Sequence, residues 1–253
     1  MLRIVLFVVL GVLALVAGGV AFFPMSMAAD MASKQIPDLK FSSASGSVWD
    51  GKLTDVSYGA QKIGDLAVKT ELLPLFGGKA TGKLGLTRQG FAGEAAVTYG
   101  IGDGGLDVPE LNISGDTSMV PGMPLAIAQS DGKFTLAMKD VKFAKGLCET
   151  ASGEAWTDAL SKVNYQGWVG PELRGPVTCH DGKLQVQATG KAPTGEDVVA
   201  SMNIGQRLDM EMTATVSNAS PGAVKTLTSL GFEAQGNTLV LRPALLRDTP
   251  NPA

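Results

Sequence analysis

From residue 41 onward the chain alternates. Leu184, Val186 and Ala188 are separated by Gln185 and Gln187, and Phe134, Leu136 and Met138 by Thr135 and Ala137. Leu208, Met210, Met212, Ala214 and Val216 are separated by Asp209, Glu211, Thr213 and Thr215. A period of two puts one row of side chains on a core and the other in water, so these runs predict half-buried β-strands. Turn chemistry stands between them: Asp131-Gly132, Asp181-Gly182, Asp103-Gly104-Gly105, Gly77-Gly78 and Pro121-Gly122. Asp-Gly ahead of an alternating run signals a hairpin. One segment breaks the period. Ser220 as a cap, Pro221 in the first turn, the Ala223 to Leu230 run and Gly231 at the stop predict one short late helix. A strand through Leu239, Val240 and Leu241 follows it. The expectation is a mainly β body over residues 41–247, a curved antiparallel sheet or a sandwich-like domain, with a loose tail over 248–253.

Ahead of that body the pattern changes in kind. Ile4 to Phe23 reads IVLFVVLGVLALVAGGVAFF, with no charge, preceded only by Met1, Leu2 and Arg3. Crossing a bilayer's hydrocarbon core takes about 20 apolar residues, so the run predicts a transmembrane anchor over 1–24. The rival reading is a cleaved signal peptide, for which Ser26-Met27-Ala28 offers small residues at a suitable spacing. Such leaders usually carry an apolar region of only about 7–15 residues. Arg3 puts the N-terminus in the cytoplasm. Residues 25–40, with Pro24 and Pro37 as punctuation, read as a mixed polar linker or short helix, and the bulk lies outside the cytoplasm.

Composition narrows the function. With 253 residues, a net charge of -3 and a pI near 5.2, the chain has no basic surface to hold nucleic acid. Hydrophobic residues make up 45% and charged ones 18%, which separates it from disordered chains. His180 is the only histidine, and it sits between Cys179 and the Asp181-Gly182 turn. One imidazole at a hairpin edge is a poor general base, and no Gly-x-Ser-x-Gly elbow, phosphate loop or His-Glu-x-x-His pair occurs. Gly100-Ile101-Gly102-Asp103-Gly104 is glycine-rich but lacks a strand–helix unit around it. We therefore expect a non-enzyme with no catalytic, metal-binding or cofactor-binding residues; carboxylate pairs stay invisible at this level. Trp49, Trp156 and Trp168 read as core anchors of a β fold sooner than as stacking platforms. In an oxidising compartment Cys148 and Cys179 are most simply a disulfide, worth on the order of 3–4 kcal/mol for a loop of about 30 residues. Two unrelated buried thiols are the cytosolic alternative.

The chain also echoes itself. Ser45-Gly46-Ser47-Val48-Trp49 resembles Ser152-Gly153-Glu154-Ala155-Trp156, and Gly82-Lys83-Leu84 parallels Gly182-Lys183-Leu184. Halves of about 41–145 and 146–247 would follow if this is a duplication, although two copies are fewer than a solenoid needs.

Four features together resemble type II secretion system protein N, the general secretion pathway N family. They are the N-terminal anchor, Ser45-Gly46-Ser47-Val48-Trp49-Asp50-Gly51, Leu72-Leu73-Pro74-Leu75-Phe76-Gly77-Gly78, and the stretch from Cys148 to Cys179 with Gly170-Pro171-Glu172-Leu173-Arg174-Gly175 inside it. The region from Asp103 to Ser130 carries no part of the likeness. The resemblance implies an accessory, single-pass inner-membrane protein with its bulk in the periplasm, acting as a scaffold in export of folded proteins and contacting other secretion subunits. It implies a disulfide at Cys148 and Cys179 and brings no catalytic residues. It also implies a kinship with the β-rich AsmA-like group, whose curved sheets present apolar grooves. From this comes the alternative expectation, a periplasmic carrier of lipid or another apolar ligand.

Overall fold

The computed structural model describes residues 23–35, 38–59, 61–71, 73–120, 123–165, 168–205 and 210–242. Of the predicted anchor from Ile4 to Phe23 only Phe23 is among them; the Pro121-Gly122 turn and the 248–253 tail lie outside. Among the described residues no helix is long and apolar enough to cross a membrane. The fold is mainly β and antiparallel throughout, and it divides into two compact units between Arg88 and Gln89.

The first unit opens with helix α1 (Met25–Gln35), followed by β1 (Leu39–Lys40), β2 (Ser43–Gly46), β3 (Asp50–Tyr58), β4 (Gln61–Glu71), a 3-10 turn (Leu73–Gly77) and β5 (Lys79–Arg88). β1 and β2 lie on the same side of β3, pairing Leu39 with Tyr58 and Ser43 with Thr54, and the order continues β3-β4-β5. The described part of residues 25–40 is thus a helix and a first strand. Met25 and Ala29, one helical turn apart, are buried against Leu53 and Val56 of β3. Gly51 makes that approach feasible: a Cβ there would stand 2.8 Å from Met25 Cγ.

The second unit carries β6 (Phe91–Gly100), β7 (Leu106–Asp116), a four-residue helix α2 (Leu125–Ala128), β8 (Lys133–Ala144), β9 (Leu147–Thr157), the two-strand pair β10 (Asn164–Tyr165) and β11 (Trp168–Val169), β12 (Leu173–His180), β13 (Lys183–Lys191), β14 (Asp197–Ile204), β15 (Met210–Ser217), helix α3 (Pro221–Ser229), β16 (Glu233–Gln235) and β17 (Thr238–Leu241). Its strand order is β6-β7-β8-β9-β12-β13-β14-β15-β17-β16. This is one open antiparallel path. Of the two forms expected, the open antiparallel sheet is the one these pairings describe.

Alternation holds along the described strands, while Leu208 and Asp209 lie outside the described residues. Leu184, Val186 and Ala188 of β13 are buried, as are Ala214 and Val216 of β15, while Gln187 and Glu211 face water. The tight turns follow residue chemistry. His180 pairs with Lys183 across Asp181 (φ 50°) and Gly182 (φ 72°), and Ala144 pairs with Leu147 across Lys145 (φ 48°) and Gly146 (φ 84°). Two central residues with positive φ match the right-handed twist of the flanking strands. Asp131-Gly132, by contrast, forms no two-residue turn: it ends the long connection that carries α2 and leads into β8, which pairs antiparallel with β7.

The two echoing segments fall in unlike places. Trp49 lies in the bend between β2 and β3, whereas Trp156 lies inside β9; Gly82 is within β5, whereas Gly182 is a turn residue. A different correspondence appears instead. Leu53 and Val56 are both buried with Asp55 (φ 50°) between them, and Met138 and Val141 are both buried with Asp140 (φ 52°) between them. Each is a β-bulge, interrupting the β3–β4 and β8–β9 ladders. The extra residue lets apolar positions three apart point to the same core.

Candidate interaction surfaces

At the end of the second unit that carries the Lys145-Gly146 and Asp181-Gly182 turns, β9 and β12 run side by side. Their ladder reaches as far as Val177 opposite Gly153. Beyond it the strands are joined by the Cys148–Cys179 disulfide, with Cα atoms 5.5 Å apart. The Cys148 N–H donates to the Gly182 carbonyl at 2.8 Å, tying one turn to the next. Cys148 is buried among Met138, Val141, Val177, Leu184 and Val186, a cluster built from strands alone.

The opposite end is built from longer connections. Ile127 of α2, Ala159, Leu160 and Val163 between β9 and β12, Trp168, and Ala223 and Leu227 of α3 close over Val198, Val216, Leu239 and Leu241. Within this end lies a fully buried carboxylate, Glu196, in the turn between β13 and β14. Ser220 Oγ donates to Glu196 Oε1 at 2.5 Å and the Ser220 N–H donates to the same oxygen at 3.3 Å, while Thr194 Oγ1 donates to Oε2. Ser220 also accepts from the Ala223 N–H at 3.3 Å, capping α3. Burial works against the charge, but these hydrogen bonds together outweigh it and hold the Glu196 carboxyl at about 2. The carboxylate is thus committed to locking a turn onto a helix start.

A second lowered carboxyl sits at the β3 bulge. Lys52 Nζ lies 2.8 Å from Asp65 Oδ2, and the Asp55 N–H donates to Oδ1 at 3.2 Å. Both contacts favour the charged form, the lysine contact most. The bulge leaves Asp55 without a ladder partner on that side, and the carboxylate supplies one.

The residues considered for chemistry are dispersed. His180 is exposed at the end of β12, 3.3 Å from Asp181. Gly100–Gly104 forms the turn between β6 and β7, with Tyr99 and Ile101 exposed and no helix following. Among the described residues no group of three or more His, Cys, Asp and Glu is arranged to hold a metal ion. The tryptophans divide. Trp168 is a core anchor, and its buried Nε1–H has no hydrogen-bond partner among the described residues. Trp156 is on the polar face of β9 and donates to Glu172 Oε2 at 3.1 Å, and Trp49 is half-buried in a bend.

Strand edges and apolar side chains are exposed in both units. The outermost strand of the first unit is the interrupted β1–β2 segment, and that of the second is β16, whose three residues are all exposed. On the inner face of the second unit, Val108, Leu111, Leu136, Met202 and Ile204 flank the disulfide cluster and are only half-buried. In the first unit the turn between β4 and β5 holds Leu73 and Phe76 with 81% and 84% of their surface exposed.

These features define a class: an antiparallel, open-sheet protein braced by one disulfide, with strand edges and apolar side chains exposed among its described residues. The chain belongs to the type II secretion system protein N family, whose model matches residues 37–240 and so spans both units. That membership places it among the accessory components of type II secretion. Neither a curated protein nor a solved structure matches the chain.

Proposed function

We propose that the protein is a scaffold anchored in the inner membrane by Ile4 to Phe23, with its β units in the periplasm, contacting other subunits of the type II secretion system. The observation that carries this reading is the family match across residues 37–240. The apolar stretch and the Cys148–Cys179 disulfide support the location, because disulfides persist in oxidising compartments. The mechanism is tethering: the anchor raises the local concentration of the β units for membrane-bound partners, and their edges offer backbone groups for strand addition. The role needs no catalysis.

The test is photo-crosslinking in cells from Ser45 on β2 and Ala234 on β16, both exposed, followed by mass spectrometry. We expect secretion-system subunits among the captured proteins. Efficient capture of other envelope proteins without any secretion subunit would overturn the proposal.

A second reading, a carrier of an apolar ligand, draws on the half-buried row of Val108, Leu111, Leu136, Met202 and Ile204. A groove with such a lining suits an acyl chain. Lipid retained by the purified full chain, and lost from a Leu111→Asp variant that still folds, would favour it over the scaffold.

A further inference from the structure

The most exposed large apolar residues of the described chain are neighbours. Leu73 and Phe76 are 81% and 84% exposed, and Leu75 between them is 38% exposed. All three belong to the 3-10 turn Leu73–Gly77, which is closed by the Gly78 N–H donating to the Leu75 carbonyl at 3.0 Å. None of the turn's residues is buried, so the core of the first unit does not account for their apolar character. Neither do the glycines that follow: a Cβ at Gly77 or Gly78 would meet nothing within 4 Å. The turn projects into open space. An apolar projection of this kind marks a surface that something else covers.

The backbone indicates what covers it. Pro24 bridges to Ser47, and the Val48 N–H donates to the Phe23 carbonyl at 3.1 Å. In the same bend the Trp49 carbonyl accepts from the Thr70 N–H at 3.1 Å, and Thr70 is one residue from the end of β4. Phe23, where the apolar stretch ends, and the turn after β4 therefore share one end of the first unit. If that stretch spans the bilayer, Leu73, Leu75 and Phe76 stand at the level where it enters the interface.

We propose that this turn is a second membrane contact. Leu73, Leu75 and Phe76 enter the boundary between headgroups and acyl chains, beside the point where the anchor emerges. Exposed Lys79, at the start of β5, follows the turn and offers a cation for lipid phosphate. Two attachments, one spanning and one superficial, fix the orientation of the first unit on the bilayer, which a single flexible tether does not. The proposal rests on the anchor reading above.

The test uses the full chain in vesicles of phosphatidylethanolamine and phosphatidylglycerol. Both native cysteines are joined to each other, so a single nitroxide can be placed by Phe76→Cys or, at the far end of β4, by Lys62→Cys. Collision with oxygen, which partitions into lipid, is compared with collision with a water-soluble nickel chelate. We expect the oxygen-to-nickel ratio at Phe76→Cys to exceed that at Lys62→Cys several-fold. Equal ratios in a chain that resists carbonate extraction would overturn the membrane contact and leave the anchor standing. A site shielded from both reagents would also overturn it, because protein and not lipid would then cover the turn. A chain released by carbonate would overturn the anchor, and the contact with it.

Discussion

Glu196 shows how a single acidic side chain becomes structural. Its folded-state carboxyl lies at about 2 against an ordinary value near 4.5, so the folded state binds its proton more weakly than the unfolded one. Stability from this group is fully present above pH about 4.5 and is lost as pH falls toward 2. At 1.36 kcal/mol per tenfold change in proton affinity, the contribution is about 3 kcal/mol at most. Glu196→Gln should therefore cost about 2 kcal/mol at neutral pH and flatten the acid limb, as measured by urea unfolding at a series of pH values. An unchanged acid limb would mean that other carboxylates set it. Ser220→Ala removes both a donor to Glu196 and the cap of α3, and should cost about 1–2 kcal/mol. Combined with Glu196→Gln, its effect should fall short of additive, since the two side chains share a hydrogen bond at 2.5 Å. Trp168 makes the opposite case. Its buried Nε1–H is unpaired among the described residues, so Trp168→Phe removes a desolvated donor while keeping most of the ring. Its cost should be under about 1.5 kcal/mol, against about 3–5 kcal/mol for Trp168→Ala. The sequence singles out Ser220 as a cap because that signal is local. Glu196 stays hidden, because its partner is 24 residues away and nothing in Thr194-Gly195-Glu196 announces burial.

At the level of elements, the strands are legible because alternation and Asp-Gly turns are local chemistry. The late helix is legible for the same reason: Ser220, Pro221 and Gly231 act within one turn of its ends. The bulges are less so. Leu53-Thr54-Asp55-Val56 and Met138-Lys139-Asp140-Val141 break the period of two, and the phase slip reads as noise until the positive φ of Asp55 and Asp140 is seen. The Lys145-Gly146 turn lacks the Asn or Asp that usually marks such hairpins. The disulfide brings another element-scale expectation. Because it holds β9 to β12 beyond Val177 and Gly153, the last pair of their ladder, its loss should loosen that end first. In a Cys148→Ser, Cys179→Ser variant, hydrogen exchange should accelerate at the β8–β9 and β12–β13 turns before it does around Val198 and Val216. The total cost should be about 2–4 kcal/mol. Uniform acceleration across the second unit would show that the bridge supports the whole core and not one end of it.

Across the whole molecule, what the sequence conveys is a contrast between a greasy leader and a pleated body, together with a family likeness spread over most of the chain. The division between Arg88 and Gln89 is invisible in it, since Gln89-Gly90 is one more short turn among many. Each unit nevertheless builds its own core, around Leu53 and Val56 in the first and around Val177, Val198 and Val216 in the second. If the proposed scaffold acts by tethering, the anchor's contribution is concentration and can be replaced by mass action. Exchanging residues 1–24 for a cleaved export leader would release the β units into the periplasm. There they would meet membrane-bound partners at their bulk concentration and lose the millimolar-range effective concentration that a short tether provides. Secretion should then fall at native expression and recover as the released protein is overproduced, measured as cargo in the medium against a constant number of secretion machines. Recovery would mean that the units bind wherever they meet their partners. A deficit that persists at high expression, with the released protein folded and its disulfide intact, would mean that the anchor also sets position, and the second membrane contact at Leu73 to Phe76 would then be the natural source of that geometry.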